Sequence, residues 1–179
     1  MAAQPADVLG FWTAAGPSKW FKRDDAFDEA IRLKFEPTHH AAARGEYDAW
    51  ARTPEGSLAL LLLLDQFPRN LWRGSSHAFA TDPLARRIAR AAIAAGHHLQ
   101  VASELRGFYV LPFEHSEALA DQDQGVALAE TIDADALKWA RIHRDIIARF
   151  GRFPHRNAAL GRHTSPEEQE FLDEGGFAG

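Results

Sequence analysis

The sequence predicts an all-α protein, and three observations predict it. Ala and Leu together number 51, against 17 for Val, Ile and Thr, so helix formers outweigh strand formers. No stretch sustains apolar/polar alternation, and the one strand-like run, Phe108-Tyr109-Val110-Leu111, is short. Apolar residues recur instead at helical spacing between capping signals.

The elements follow in order. Ala6 to Thr13 reads as a first helix. Asp24 then stands as an N-cap, Asp25, Asp28 and Glu29 favour the positive helix start, and Arg32 and Lys34 favour the negative end. Phe27, Ile31 and Phe35 share one face. Pro37 is expected to interrupt this helix, with a further piece running to Arg44 and Gly45 as its stop. Thr53-Pro54-Glu55 opens the next, with Thr as cap and Pro in the first turn. Its body, Leu58 to Leu64, is apolar all round, which marks a helix buried on every side and central to the domain. It is expected to end at Asp65-Gln66-Phe67-Pro68.

Asp82-Pro83 starts another helix that Gly96 stops, with Leu84, Ile88, Ala91, Ala92 and Ala95 as its expected inner stripe. Arg86, Arg87 and Arg90 fall off that stripe and read as a solvated face. Shorter helices are expected around Gln100 to Arg106 and Leu119 to Glu130. Asp133 or Asp135 caps a long helix ending at Phe150, with Trp139, Ile142, Ile146, Ile147 and Phe150 at helical spacing and Gly151 beyond. Thr164-Ser165-Pro166-Glu167 resembles a capping box for a last helix through Asp173, closed by Gly175-Gly176. The expectation is eight or nine helices in a single domain over residues 1–179, with no Ser- or Gly-rich linker.

Composition excludes several function classes. No cysteine is present, so a disulfide scaffold, a thiol nucleophile and thiolate-held clusters or zinc are ruled out. The net charge is -5, which argues against a broad nucleic-acid surface. The longest apolar run is far short of the roughly 20 residues of a membrane span. Met1 to Gly10 carries no basic start and long apolar stretch of a secretory signal, so a cytoplasmic protein is expected. His39-His40 and His97-His98 are adjacent pairs rather than metal-ligand spacings, and no H-E-x-x-H, phosphate-binding loop, G-x-S-x-G or dinucleotide fingerprint occurs. Neither cofactor nor metal is expected.

Of the 20 basic residues 16 are Arg, a residue suited to bidentate grip on carboxylate or phosphate. Four segments gather the chemistry. In Asp65-Gln66-Phe67-Pro68-Arg69-Asn70-Leu71-Trp72-Arg73-Gly74, Asp65 follows a buried helix and needs a cation, which Arg69 or Arg73 can supply. In Leu111-Pro112-Phe113-Glu114-His115-Ser116-Glu117, the adjacent Glu114 and His115 point in different directions on a helix. Convergence there requires His115 with a distant carboxylate, or Glu114 with Glu117. His143 lies on the apolar face of the long helix, as a hydrogen-bonded core residue or a desolvated base. Phe150-Gly151-Arg152-Phe153-Pro154-His155-Arg156-Asn157, with Gly161-Arg162-His163, holds three Arg and two His at one turn, the densest candidate anion site.

Three of these blocks, Asp65-Gln66-Phe67-Pro68-Arg69-Asn70, Leu111-Pro112-Phe113-Glu114-His115-Ser116-Glu117 and Phe150-Gly151-Arg152-Phe153-Pro154-His155-Arg156-Asn157, resemble the signature segments of the bacterial family called domain of unknown function 924. The resemblance extends from Val8-Leu9-Gly10-Phe11-Trp12 to Thr164-Ser165-Pro166-Glu167-Glu168. It implies irregular antiparallel helix pairs like tetratricopeptide repeats, and no established activity.

Three functions remain in view. The first is a helical binding module for an anionic small molecule or acidic peptide. Its Arg/His-lined pocket would use Arg69, Asn70, Arg73, Arg152, His155, Arg156, Asn157 and Arg162, with His115 and His143 nearby. The second is a small enzyme, with His143 or His115 as general base, Glu114, Glu117 or Asp65 as its orienting carboxylate, and the Arg set on an anionic substrate. The third is a scaffold that buries a partner helix in a concave surface.

Overall fold

A computed structural model describes residues 3–177. Those residues hold nine α-helices and no strand. The chain divides into two compact units. The first takes in the described residues up to Arg73 and then His77–Pro112; the second takes in Gly74–Ser76 and the residues from Phe113 on. No helix among the described residues is long and apolar enough to cross a membrane.

In the first unit, α1 (Pro5–Ala15) and the short α2 (Pro17–Trp20) lead to α3 (Asp25–Ala43). Asp24 caps α3 by accepting the Phe27 N–H. Pro37 lies inside α3 and does not interrupt it. A proline deprives the carbonyl four residues back of its donor; here that residue is Leu33, three-quarters exposed, where water can serve.

The leucine-rich helix is the hub. It spans residues 54–71 without a break and is called α4 below. An α segment, Pro54–Leu61, passes into a π segment, Leu62–Gln66, and resumes as Phe67–Leu71. Leu58 to Leu64 are at most 1% exposed, and each leucine among them contributes about 2 kcal/mol by leaving water. α1, α3 and α5 (Asp82–Ala94) pack around this rod, as do the 3-10 turns Asp48–Arg52 and Ser103–Tyr109. Trp12, Trp20, Phe27, Phe67 and Phe108 meet edge-on or stacked beside it.

The expected end at Asp65–Pro68 is replaced by this π turn. Widening the helix gives the Leu62 carbonyl the Phe67 N–H five residues on. The same spacing would assign the Leu63 carbonyl to Pro68, which has no N–H, and ordinary α spacing would assign it the Leu64 carbonyl. Two side chains from elsewhere take these positions. His39 Nδ1 donates to the Leu63 carbonyl at 2.7 Å, and Thr81 Oγ1 donates to the Leu64 carbonyl at 2.5 Å.

The inner face of α5 is Ala85, Ile88, Ala89 and Ala92; Ala91 and Ala95 face solvent. An alanine-rich helix carries too little contrast to fix its rotation from sequence. The segment read as a helix from Gln100 is a 3-10 run, Ser103–Tyr109, and it absorbs Phe108 and Tyr109 of the strand-like run.

α6 (Leu111–Glu114) begins at the close of the first unit, and its last residues, Phe113 and Glu114, belong to the second. The second unit continues with α7 (Leu119–Ala129), α8 (Ala134–Phe150) and α9 (Pro166–Asp173). α7 packs along α8, and Ile146, Ile147 and Phe153 form a core joined by Ile142, Phe150, Phe171 and Phe177. Asp133 caps α8 and Gly151 ends it in the left-handed region at φ 68°. The capping box of α9 is one residue later than the sequence suggests: Ser165 is the cap and Glu168 its reciprocal partner.

Candidate functional site

The two groups of predicted residues belong to different units. In the first unit, Asp65 is fully buried in the π segment. Its carboxylate accepts from Gln66 Nε2 and lies 3.5 Å from Arg69 Nη1. Arg69 also donates to the Asp65 carbonyl and forms a two-point fork on buried Asp82, at 2.9 Å for each bond. Burial would lower the guanidinium pKa, but Asp65 and Asp82 reverse that and hold it raised. Arg73 pairs with Asp28 instead, and Asn70 Nδ2 donates to the same carboxylate at 2.7 Å. Arg69, Asn70 and Arg73 are thus tied to the chain's own acids. A cavity of about 850 Å³ in this unit, bordered by Asp7, Phe11, Lys34, Phe35 and Tyr47, contains none of the predicted residues.

The second unit concentrates buried polar groups. Glu114, Ser116, Gln122, His143, Arg156, Asn157 and Glu168 are all less than a tenth exposed. Position is set from the backbone outward. Gln122 Nε2, on α7, donates to the Glu114 and Ser116 carbonyls at 2.6 Å each. Arg156 Nη1 donates to the His115 carbonyl at 3.0 Å, and its guanidinium lies over the Phe153 ring. The end of α6 is thereby pinned from two sides. Gly125 permits the close approach of α7, since a side chain there would press on Phe113.

This pinning brings Glu114 to His143 on α8, with Oε2 3.3 Å from Nδ1. The same nitrogen lies 2.8 Å from the Trp139 carbonyl one turn earlier. The Trp139 carbonyl can only accept, so Nδ1 carries the hydrogen and Nε2 is the basic nitrogen, with the Glu114 carboxylate as a charged neighbour of the ring. The His115 and His143 ring centres are 6.4 Å apart. Glu114 thus meets an imidazole brought by α8.

The remaining acids bind arginine. Glu117 takes both terminal nitrogens of Arg162 at 2.9 and 2.7 Å and also the Phe153 N–H. Burial would raise its pKa, but Arg162 and that N–H outweigh it, and the carboxyl sits below its ordinary value. Glu168 takes Arg152 at 2.6 and 2.8 Å, Asn157 Nδ2 at 3.2 Å and the Ser165 N–H at 2.8 Å. Arg152 does most to pull the Glu168 pKa down to about 2, and the N–H and amide add to it. His155 lies between the Phe153 and Phe177 rings, at 5.5 and 5.3 Å.

Several partners were not among the predicted site residues: Asp28, Asp82, Gln122, Glu168 and Phe177. Asp28 and Asp82 show in sequence as helix-start acids, and Glu168 as part of the last helix, so their local roles hide their long-range ones. Among the described residues, no group of three or more His, Asp or Glu is placed to hold a metal ion.

A family model for bacterial proteins of unknown function (DUF924) matches residues 8–176. A solved structure of the protein of unknown function ATU0120 from Agrobacterium tumefaciens is similar over 96% of this chain and 97% of that one. The identity is 51% and the TM-score 0.93. Among curated proteins nothing matches.

Proposed function

The chain belongs to the DUF924 family of bacterial proteins of unknown function, and from that premise we propose that its second unit is a proton-transfer site acting on a small anionic molecule. The observation that carries this is His143 Nδ1 held between the Glu114 carboxylate at 3.3 Å and the Trp139 carbonyl at 2.8 Å. The carbonyl acceptor on Nδ1 fixes the tautomer and leaves Nε2 basic, and the nearby carboxylate stabilises the imidazolium once a proton is taken. His115 supplies a second imidazole near the first. Glu114 and His143 are here positioned as orienting acid and base; Arg156, Arg152 and Arg162 supply the positive surroundings that favour an anion.

The test is turnover by the full chain on carboxylate- and phosphate-bearing esters, together with deuterium exchange into small keto acids. The expectation is an activity that falls by about a hundredfold or more in His143→Ala, falls in Glu114→Gln, and survives Arg23→Ala. Activity that persists in His143→Ala, or none across both panels, overturns the reading.

A second reading, anion binding without turnover, is favoured by one observation. Arg152, Arg156 and Arg162 gather at and after the turn that follows α8, beside Glu168, the His115 carbonyl and Glu117. Calorimetry with inorganic phosphate would give binding that Arg156→Ala abolishes; absent binding rejects it.

A further inference from the structure

Phe177 follows α9 and returns to the helix-and-turn region that carries His143. Its ring centre is 4.6 Å from that of His143, 5.3 Å from His155 and 6.3 Å from Trp139, crossing them at 65°, 80° and 59°. Phe153, fully buried, lies 5.7 Å from His143 and 5.5 Å from His155. Such edge-to-face arrangements match the positive rim of one ring to the negative face of another. The edge-on contacts of Phe177 with His143 and His155 make a notch that suits a planar ring. Trp139, one of its walls, is 47% exposed, so the notch borders solvent.

The chain reaches this notch through two glycines. The Gly175 N–H donates to the Leu172 carbonyl and the Gly176 N–H to the Phe171 carbonyl, the paired bonds that close a helix at a left-handed residue. Gly175 has φ +82°, and Gly176 has no room for a side chain beside Phe171. The α9 terminus thus aims Phe177 at these rings, where it also packs against the core of Ile146, Ile147 and Phe153.

We infer that the notch on His143 and His155 is a binding slot for an aromatic ring of a substrate or ligand, with Phe177 as its resident occupant. An incoming ring must displace the tail, and displacement uncovers His143. The link to catalysis rests on the acid–base reading above; the ring binding itself does not.

The test is an NMR titration of the full chain with p-cresol, following the His143 and His155 ring signals, with cyclohexanol as a non-aromatic control of similar size. Phe177→Ala should bind p-cresol about tenfold or more tighter than the parent, with no such gain for cyclohexanol. Phe177→Leu, which fills the notch without a ring, should give a smaller gain than Phe177→Ala. Gly175→Val, strained at its positive φ, withdraws the tail while leaving the slot intact, and should reproduce the gain even where Phe177→Ala folds poorly. Glu114→Gln in the Phe177→Ala background should keep the binding, which separates the slot from the acid–base reading. No gain in either tail variant, or an equal gain for cyclohexanol, overturns the inference.

Discussion

His143 and Glu114 meet with Nδ1 3.3 Å from Oε2, and both side chains are less than a tenth exposed. The contact is built, not incidental. Gln122 and Arg156 hold the backbone that carries Glu114, and the Trp139 carbonyl orients the imidazole from its own helix. The same unit places Glu117 and Glu168 on arginines, whereas Glu114 meets an imidazole.

Arg69 is the structural arginine. It serves two buried carboxylates, Asp65 and Asp82, and removing a cation from buried acids costs about 3–5 kcal/mol. Arg69→Ala should lose stability on that scale in chemical denaturation, and Arg69→Lys should recover only part, because an ammonium cannot make the two-point fork. Arg23→Ala, which breaks a pair whose side chains are 74% and 82% exposed, should change stability by less than about 0.5 kcal/mol.

Glu168 imposes an acid limit. Its pKa of about 2 lies below the 4.5 of a free carboxyl, so the unfolded chain binds the proton first as pH falls. The stabilisation is complete above about pH 5 and disappears as pH drops toward about 2. The stability gap between the parent and Glu168→Gln should therefore be widest near neutrality and close over that window. A gap that widens in acid would contradict this.

His39 imposes a second, milder limit. Burial favours its neutral form and lowers its pKa from 6.5, although the bond to the Leu63 carbonyl opposes the shift. Stability from this residue is present above pH 6.5 and is lost as pH falls through the lowered value. His39→Phe should remove that dependence and cost about 1–3 kcal/mol at neutral pH by leaving the Leu63 carbonyl without its donor.

Gly56 tests the packing of the hub helix. A methyl group there would collide with the Trp50 carbonyl oxygen and crowd Thr53 Oγ1, the cap of α4. Gly56→Ala should destabilise by about 1–3 kcal/mol despite the better helix propensity of alanine, and thermal unfolding would show it.

The buried leucine helix was legible because seven apolar residues in a row leave no polar face to interpret. The caps Asp24, Thr53 and Asp133 were legible because capping is local. Pro37 and Pro68 misled because their effect depends on who satisfies the carbonyl they deprive. Solvent serves at Leu33, and His39 and Thr81 serve in the π turn, all outside any local rule. Site residues were legible as types and not as pairs. Arg69 finds Asp82 13 residues away and Arg73 finds Asp28 45 residues away. Spacing could not show that Glu114 meets His143 from a different helix. Phe177 carried no local signal beyond the two glycines before it.

The most direct measurement is long-range ¹H–¹⁵N correlation of the His143 ring in the full chain at neutral pH, beside Glu114→Gln. The account predicts hydrogen on Nδ1 in the parent, with Nε2 as the unprotonated nitrogen of the neutral ring, and a lower imidazole pKa once Glu114 loses its charge. Hydrogen on Nε2 in the neutral parent, or a His143 titration that ignores Glu114→Gln, would contradict it.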